Sequence, residues 1–414
     1  MALTDIAYLA YVALTASVVS TIEYFWRGPR LPRWDLKFQL RRDIMHRIIS
    51  GVVPQLTDDS TIDSLDLPKV VHDMRAKAMP PAELKPEDGT YRVIGISVRD
   101  VRIDPREFAV DEKSNNPGEI AVIDAGTSDK LCALYEADVQ GPERTINCEL
   151  VVASNIFDDE HCNAQLECRP MHTGEKLILY FHGGGYIISS SAIYRQLISR
   201  ISRESCARVL GVDYRLAPEH PFPAALHDAY VAYMYVLQQG FDPSCVVVAG
   251  DSAGGHLALS LTHLVQATKT PMYGGLVLLS PVTDMARDSG SFARNREFDY
   301  LAPQPLASPL SVVRLFYAPG RRMSRDLISE LSRPLVSPQR GQFTNFPRTL
   351  IQFGASEVLA DDSTQLHARM AQSKHPESFV LESYDDMLHV FHVFFDRPES
   401  VQALGSIGRF VKDV

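Results

Sequence analysis

Six residues, Gly-Asp-Ser-Ala-Gly-Gly at 250–255, constrain the fold of this chain more than any other stretch. The run at 245–249 before them is short and apolar, and positions 253–266 after them alternate apolar and polar residues at helical spacing. A strand, a sharp turn with Ser252 at its apex and a helix make the pattern G-x-S-x-G, the nucleophile elbow. A side chain at 250 or 254 would collide with the neighbouring strand or helix, so both positions require glycine. The motif alone is weak evidence, because any glycine-rich strand-to-helix turn also fits it.

Short apolar runs and helical patterns alternate from residue 175 onward. Further strands are predicted at 177–181, 208–213, 275–279, 349–353 and 378–384, and helices at 191–204, 222–239, 361–373 and 398–412. Such alternation predicts an α/β fold with a mostly parallel central sheet and helices on both faces. Upstream, short extended runs bounded by Gly, Pro and Asn predict antiparallel strands at 91–98, 119–124, 130–135 and 148–153.

The alternation is interrupted once, by a long Arg- and Pro-containing stretch. Insertions that follow the carboxyl end of a strand lie over the active site, so this one is predicted to be a lid. The predicted organisation is an N-terminal apolar segment and helical cap over 1–90, a catalytic core over 91–284 and 345–414, and a lid insertion over 285–344.

Charge and cysteine content exclude several classes of protein. The chain of 414 residues carries a formal net charge of −10 and has 45% hydrophobic residues, which describes a globular protein and argues against a nucleic-acid partner. Its six cysteines have no metal-binding spacing and are interpreted as free thiols, with disulfides the alternative in an oxidising compartment. No cofactor and no metal are expected.

The N-terminus contains an uncharged apolar run at 6–22, followed within twenty residues by several arginines. A run of this length is at the short limit for a membrane span, and it would leave the catalytic body in the cytosol. The alternative is an apolar helix that covers the substrate pocket or lies in a membrane interface. The sequence leaves open a membrane-associated location, of endoplasmic reticulum type, and a cytoplasmic one.

A second glycine motif, His182-Gly183-Gly184-Gly185-Tyr186, directly follows the strand predicted at 177–181. Three glycines leave backbone N–H groups bare, so that they can approach an oxyanion closely. Gly183, Gly184 and Gly185, together with the N–H of Ala253, are therefore predicted to form an oxyanion hole. Tyr186 is assigned to substrate binding. A phosphate-binding loop is disfavoured because neither the G-x-G-x-x-G spacing nor a Walker lysine follows.

These motifs, with DYRLAPEHPFPAA at 213–225, resemble the hormone-sensitive-lipase-like branch of the α/β-hydrolases. The N-terminal apolar segment and the HVFHVF sequence at 389–394 resemble the fungal steryl acetyl hydrolase-like members of that branch. The resemblance covers roughly 175–285 and 349–412. It implies the α/β-hydrolase fold and a serine esterase with a catalytic triad.

The resemblance also implies the partners of Ser252. The acid position a few residues after the seventh strand is held by Glu357, with Asp361 as the alternative, although Asp361 also suits a helix start. The base position holds His389, and His392 is its less favoured neighbour. The order Ser252, Glu357, His389 is the chain order of α/β-hydrolases.

The expected activity is hydrolysis of a small acyl ester, most simply acetyl, of a bulky hydrophobic alcohol such as a sterol or polyketide. The same triad could instead serve transacylation, lactonisation or cyclisation in secondary metabolism, because exclusion of water decides between them. An amidase and a non-catalytic binding module are further alternatives, and a homodimer is left open.

Overall fold

In the computed structural model, the described residues are 3–52, 66–78, 88–103, 108, 123–156, 165–302 and 304–414. Over these residues the chain forms one eight-stranded sheet, in the order β1, β2, β4, β3, β5, β6, β7, β8. The strands are β1 Thr90–Ser97, β2 Thr145–Val152, β3 Leu177–Phe181, β4 Arg208–Val212, β5 Val246–Asp251, β6 Gly275–Leu279, β7 Arg348–Gly354 and β8 Phe379–Tyr384. Strands β3 to β8 are parallel, and β2 pairs antiparallel with both β1 and β4. The mostly parallel α/β-hydrolase sheet is therefore confirmed.

Helices cover both faces of this sheet. They are α1 Leu3–Arg27, α2 Leu36–Val52, α3 Leu67–Ala78, α4 Ala125–Gln140, α5 Ser191–Ser205, α6 Ala224–Gln238, α7 Ala253–Ala267, α8 Gly290–Asn295, α9 Val312–Tyr317, α10 Arg325–Leu331, α11 Ala360–Met370 and α12 Pro398–Asp413. Alternate residues of β3 point to opposite faces: Ile178 and Tyr180 pack with α5 and α12, whereas Leu179 and Phe181 pack with α6 and α7. Both faces of the central strands are thus buried, as their unbroken apolar sequences predict.

One predicted strand is wrong. Residues 130–135 lie inside α4, because Asp124 caps that helix by accepting the N–H of Thr127 through its side chain. A capping aspartate before a helical run outweighs the local apolar run. The strand predicted at 119–124 lies mostly outside the described residues. The other two upstream strands are confirmed as β1 and β2.

The 285–344 stretch forms the short helices α8, α9 and α10 beyond the carboxyl end of β6. Together with α2 and α3 it contributes walls to one cavity above the carboxyl ends of the parallel strands. Residues 31–49 pack directly against the segment that follows β8, in a cluster built around Trp34 and Phe38. The N-terminal stretch is therefore joined to the carboxyl-end side of the sheet.

Helix α1 contains the apolar run at 6–22. Within the part of the chain that the structure describes, no helix has both the length and the apolarity that crossing a membrane requires. From residue 11 onward its inner face buries Val12, Ala16 and Ser20, while its large apolar side chains point outward.

Candidate active site

Ser252 sits at the turn between β5 and α7, in a strained backbone conformation with φ 51° and ψ −116°. Few non-glycine residues adopt such a positive φ, and it lifts the serine hydroxyl above the end of the strand. A Cβ at Gly250 would overlap the carbonyl of Gly254, and a Cβ at Gly254 would overlap the carbonyl of Phe181. The predicted need for glycine at both positions is confirmed.

His389 meets Ser252 from the segment after β8. Its Nε2 lies 2.9 Å from the Oγ of Ser252, a hydrogen-bond distance. Its Nδ1 lies 3.8 Å from Oε1 of Glu357, which follows β7 and is fully buried. That separation is longer than a hydrogen bond, and free active sites often tighten only when substrate binds. The three residues thus converge from the carboxyl ends of three parallel strands, β5, β7 and β8.

Buried carboxylates set the electrostatics around His389. Burial opposes the imidazolium charge, but Glu357, Asp299 and Asp251 outweigh it and raise the pKa of His389. Burial also raises the pKa of Asp251 and of Asp299 to about 6. Such an environment stabilises the imidazolium form of His389.

The three backbone amides of the glycine loop after β3 differ in whether the protein itself supplies a hydrogen-bond acceptor. The N–H of Gly183 donates to Oδ1 of Asp251 at 2.9 Å, so this amide is occupied by the protein itself. The amides of Gly184, Gly185 and Ala253 have no protein acceptor among the described residues. Gly184 and Gly185 also have positive φ values, 106° and 63°, which favour glycine. The geometry favours those three amides over the predicted Gly183.

His182 and Tyr214 support this loop from below. Their rings stack at 4.4 Å, and the hydroxyl of Tyr214 donates to the carbonyl of His182 at 2.6 Å. Nδ1 of His182 lies 2.7 Å from the carbonyl of Gly183, and burial lowers the pKa of the histidine. A neutral His182 therefore fixes the loop.

Tyr186 does not line the cavity. Its side chain is buried, stacks on Phe316 at 3.9 Å, and its hydroxyl lies 2.6 Å from Nδ1 of His256. The prediction that Tyr186 contacts substrate is therefore corrected: the ring turns inward because the core offers both an aromatic partner and a hydrogen-bond partner.

The alternative acid and base lie elsewhere. Asp361 forms an ion pair with Arg294 at the start of α11. His392 is buried, with Nε2 3.0 Å from the side-chain oxygen of Gln352. Neither contacts Ser252 or His389 through a hydrogen bond in the described part of the chain.

A cavity of about 590 Å³ opens over Ser252 and His389. Most side chains that line it are apolar, and they come from α2 (Met45, Ile49), α3 (Met74), the insertion (Leu306, Leu310, Val312) and the segment after β8 (Val393, Phe395). A drug-sized cavity of this apolar character fits a bulky hydrophobic ligand.

Two residues near Ser252, His389 and Glu357 were missed by the sequence analysis. The Ser280 hydroxyl, at the end of β6, donates to Oε2 of Glu357 at 2.6 Å and accepts the N–H of Val390 at 3.0 Å. Asp299, in the insertion, is fully buried beside His389. A polar residue directly after β6 was a usable signal for Ser280, since carboxyl ends of parallel strands share one edge. No sequence pattern marked Asp299.

Comparison with known proteins decides the family. The family model described as the alpha/beta hydrolase fold matches residues 178–393, more than half of the chain. This chain belongs to the α/β-hydrolase family. An acetyl-hydrolase from Streptomyces hygroscopicus is 34% identical over 61% of this chain and 80% of its own length. An esterase from Acinetobacter venetianus is 32% identical over 68% of this chain and 86% of its own.

Similar solved structures indicate the branch of the family to which this α/β-hydrolase belongs. An esterase from the bacterial hormone-sensitive lipase family superimposes with a TM-score of 0.58 at 26% identity, over 90% of this chain and 97% of the other. A mutant of esterase E40 gives a TM-score of 0.59 at 27% identity over the same shares. The protein is a carboxylic-ester hydrolase of the hormone-sensitive-lipase-like branch.

Proposed function

We propose that Ser252, His389 and Glu357 form the catalytic triad of this esterase. The observation that carries the proposal is the 2.9 Å separation between Ser252 Oγ and His389 Nε2. His389 takes the serine proton while Oγ attacks the ester carbonyl, and Glu357 stabilises the imidazolium. The alcohol leaves with a proton from His389. Water activated by the same histidine then releases the acid.

The negative oxygen of the tetrahedral intermediate is stabilised by the amides of Gly184, Gly185 and Ala253. Two observations support this assignment: these N–H groups have no acceptor among the described residues, and Gly184 and Gly185 line the cavity. Each such donor typically contributes a factor of about 10² to 10³ in rate. Gly183 contributes indirectly, because its bond to Asp251 fixes the loop.

The substrate we propose is a small acyl ester, most simply an acetate, of a bulky hydrophobic alcohol. The apolar lining and the volume of about 590 Å³ support the alcohol part. The acetyl part is supported by the name of the Streptomyces relative.

Hydrolysis of p-nitrophenyl esters from acetate to laurate tests both parts. Wild-type protein is expected to cleave the acetate with the highest kcat/KM, and Ser252→Ala is expected to lose at least about 10³-fold in kcat. Equal hydrolysis by both proteins would refute the triad. A preference for laurate would refute the small acyl group, and product analysis with an added alcohol would reveal transacylation.

We also infer that the outer face of α1 rests on a lipid surface. Tyr11, Leu14, Val18 and Ile22 recur at three- or four-residue intervals and are more than half exposed. The polar side chains of Thr15 and Ser17 instead bond to carbonyls of their own helix. The face ends in exposed Phe25, Trp26 and Arg27, and such a combination of aromatic and basic residues favours the level of lipid headgroups.

Co-sedimentation with phosphatidylcholine vesicles tests this inference. The double variant Leu14→Glu/Ile22→Glu is expected to remain in the supernatant, whereas wild type sediments. Val401→Glu is the matched control, because Val401 is an equally exposed apolar residue on α12. If wild type stays in the supernatant, the lipid assignment is wrong. It is also wrong if gel filtration shows a wild-type dimer that becomes a monomer in the double variant, because the face would then be a dimer interface.

A further inference from the structure

Asp299 connects the two segments that carry the base and the acid. Its Oδ2 accepts the N–H of Val358, the residue after Glu357, at 2.8 Å. Its Oδ1 accepts the N–H of His389 itself at 3.4 Å. We infer that Asp299 is a positioning residue that fixes His389 and Glu357 relative to each other, an inference that rests on the proposed triad. The side chain that links them belongs to the insertion and not to the core.

A neighbouring amide supports this arrangement from the same insertion. The side-chain nitrogen of Asn295 donates to the carbonyls of Glu357 and Ala355, at 2.7 and 3.2 Å. Asp299 and Asn295 therefore hold both N–H and carbonyl groups of the acid loop. Because Oε1 of Glu357 and Nδ1 of His389 are 3.8 Å apart, a small displacement of either loop decides whether they bond.

Arg42, on the N-terminal helix α2, holds the backbone of Asp299 in turn. Its guanidinium donates to three consecutive carbonyls: Nη2 to Glu297 at 2.5 Å, Nε to Phe298 at 2.6 Å and Nη2 to Asp299 at 2.8 Å. The side chain is only 4% exposed, and Asp43 accepts its remaining amino group at 2.7 Å. The Arg42 guanidinium thus bonds to backbone carbonyls, and it neither lines the cavity nor contacts the triad. We therefore expect Arg42 to influence the reaction through Asp299.

The other side of the His389 segment is held by the same N-terminal stretch. Nε1 of Trp34 donates to the carbonyl of Asp386 at 2.7 Å, and the N–H of Arg33 donates to the Asp386 carboxylate at 3.0 Å. The Trp34 ring is buried in the cluster that contains Leu388. Residues 33–42 thus fix the base from both directions, and the N-terminal helices are part of the catalytic support.

A purely structural role would look different from a positioning role. A buried carboxylate that only stabilises the fold would lower the free energy of unfolding and leave kcat of the folded protein unchanged. A positioning residue changes the alignment of reacting groups, which lowers kcat while the substrate cavity, and hence KM, is preserved. The experiment therefore measures kcat and KM separately, well below each variant's melting temperature.

The primary variants are Asp299→Ala and Asp299→Asn, assayed on p-nitrophenyl acetate. Asp299→Ala is expected to lower kcat roughly 10- to 100-fold with KM within about twofold, the loss typical of a misplaced catalytic group. Asp299→Asn retains one acceptor oxygen, so its kcat is expected to lie between those of wild type and Asp299→Ala. Glu149→Gln is the matched control, since Glu149 is a buried carboxylate on β2 that pairs with Arg195 at 2.6 Å, and neither side chain lines the cavity. It is expected to lower stability and retain kcat.

Arg42→Met completes a double-mutant cycle and serves if Asp299→Ala does not fold. If Arg42 acts through Asp299, removing Arg42 adds little once Asp299 is gone. The kcat of the Arg42→Met/Asp299→Ala double variant is therefore expected to lie within about twofold of the kcat of Asp299→Ala. Multiplied losses would separate Arg42 from Asp299 and overturn that link. Unchanged kcat in folded Asp299→Ala would overturn the inference as a whole.

Labelling of Ser252 by a fluorophosphonate, followed by mass spectrometry, separates this inference from the proposed function. The reagent needs a serine activated by His389, whatever the natural acyl acceptor. Slower labelling of Asp299→Ala than of Glu149→Gln supports positioning even if wild type does not hydrolyse esters. If wild type is not labelled at all, both the triad and the role of Asp299 fall.

Discussion

The backbone N–H of Gly183 donates to Oδ1 of Asp251, the residue directly before Ser252, at 2.9 Å. The hydroxyls of Tyr180 and Tyr194 donate to the two oxygens of the same carboxylate at 2.8 and 2.7 Å. One buried carboxylate therefore joins the elbow to the glycine loop. In the proposed mechanism these two structures face the same ester carbonyl, so Asp251 fixes their relative position.

Replacement of Asp251 tests this connection. Asp251→Ala is expected to lower kcat roughly 10- to 100-fold on p-nitrophenyl acetate, because the loop amides lose their fixed orientation toward the oxyanion. Tyr180→Phe removes only one of the three donors and is expected to cost less. Steady-state kinetics of both variants check the order, and a larger loss in Tyr180→Phe would contradict it.

Ser280 provides a second connection, between Glu357 and the segment that carries His389. Its hydroxyl bridges Oε2 of Glu357 and the N–H of Val390, next to His389. Ser280→Ala leaves that buried amide and one carboxylate oxygen without this partner, so kcat is expected to fall about tenfold and stability by roughly 1–3 kcal/mol. Kinetics and urea unfolding check the two effects. Ser280→Thr, which keeps the hydroxyl, is expected to retain more activity, and equal losses in both variants would argue against the bridge.

The sequence predicted most of the parallel sheet, and it indicated Ser252, Glu357 and His389, which the fold brings close together. These residues follow strands whose apolar runs and following helices are readable locally, and their neighbours resemble a family pattern. The support around them was not readable. Asp299 and Arg42 are 257 residues apart and meet only through tertiary packing, so no local pattern marks either. Gly183 and Tyr186 belong to a correct motif, but contacts with Asp251 and His256 decide how they are used.

The pH dependence of hydrolysis reports the charge around His389. Glu357, Asp299 and Asp251 raise its pKa above the ordinary 6.5 despite burial, while the neighbouring His392 stays neutral because burial lowers its pKa to about 3. A general base must be neutral, so kcat/KM is expected to fall as pH drops through a value above 6.5.

The variant Glu357→Gln removes the carboxylate that raises the pKa of His389 most. The acidic limb of its residual activity is expected at lower pH than in wild type. A pH–rate profile of both proteins on p-nitrophenyl acetate checks the shift. An acidic limb that stays in place would mean that another group titrates there.

Asp362 predicts a pH dependence of stability. It is buried with Oδ1 accepting the N–H of Thr283 at 2.9 Å, and burial raises its pKa from 3.8 to about 6. Because the folded-state pKa lies above the unfolded one, the stability from this group is complete below pH 3.8 and is lost as pH rises through about 6.

Asp362→Asn removes this titration while keeping an acceptor for Thr283. Relative to wild type, the variant is expected to gain free energy of unfolding as pH rises across that window, by at most about 3 kcal/mol. Urea unfolding of both proteins over the same pH range checks the sign. A difference that is constant with pH would show that Asp362 does not titrate there.

A substitution at Ile49 tests whether the N-terminal helices determine selectivity for the alcohol part of the ester. It lines the cavity from α2, on the same helix as Met45 and one turn beyond it. Ile49→Trp adds bulk to this wall, so KM for the acetate of a polycyclic alcohol is expected to rise about tenfold or more. Ethyl acetate, which needs little of the cavity, is expected to keep its KM within about twofold. Val401→Trp, on the exposed face of α12, is the control. If Ile49→Trp impairs hydrolysis of both esters equally, the substitution disturbs the contacts by which α2 supports the triad, and not the fit of the alcohol.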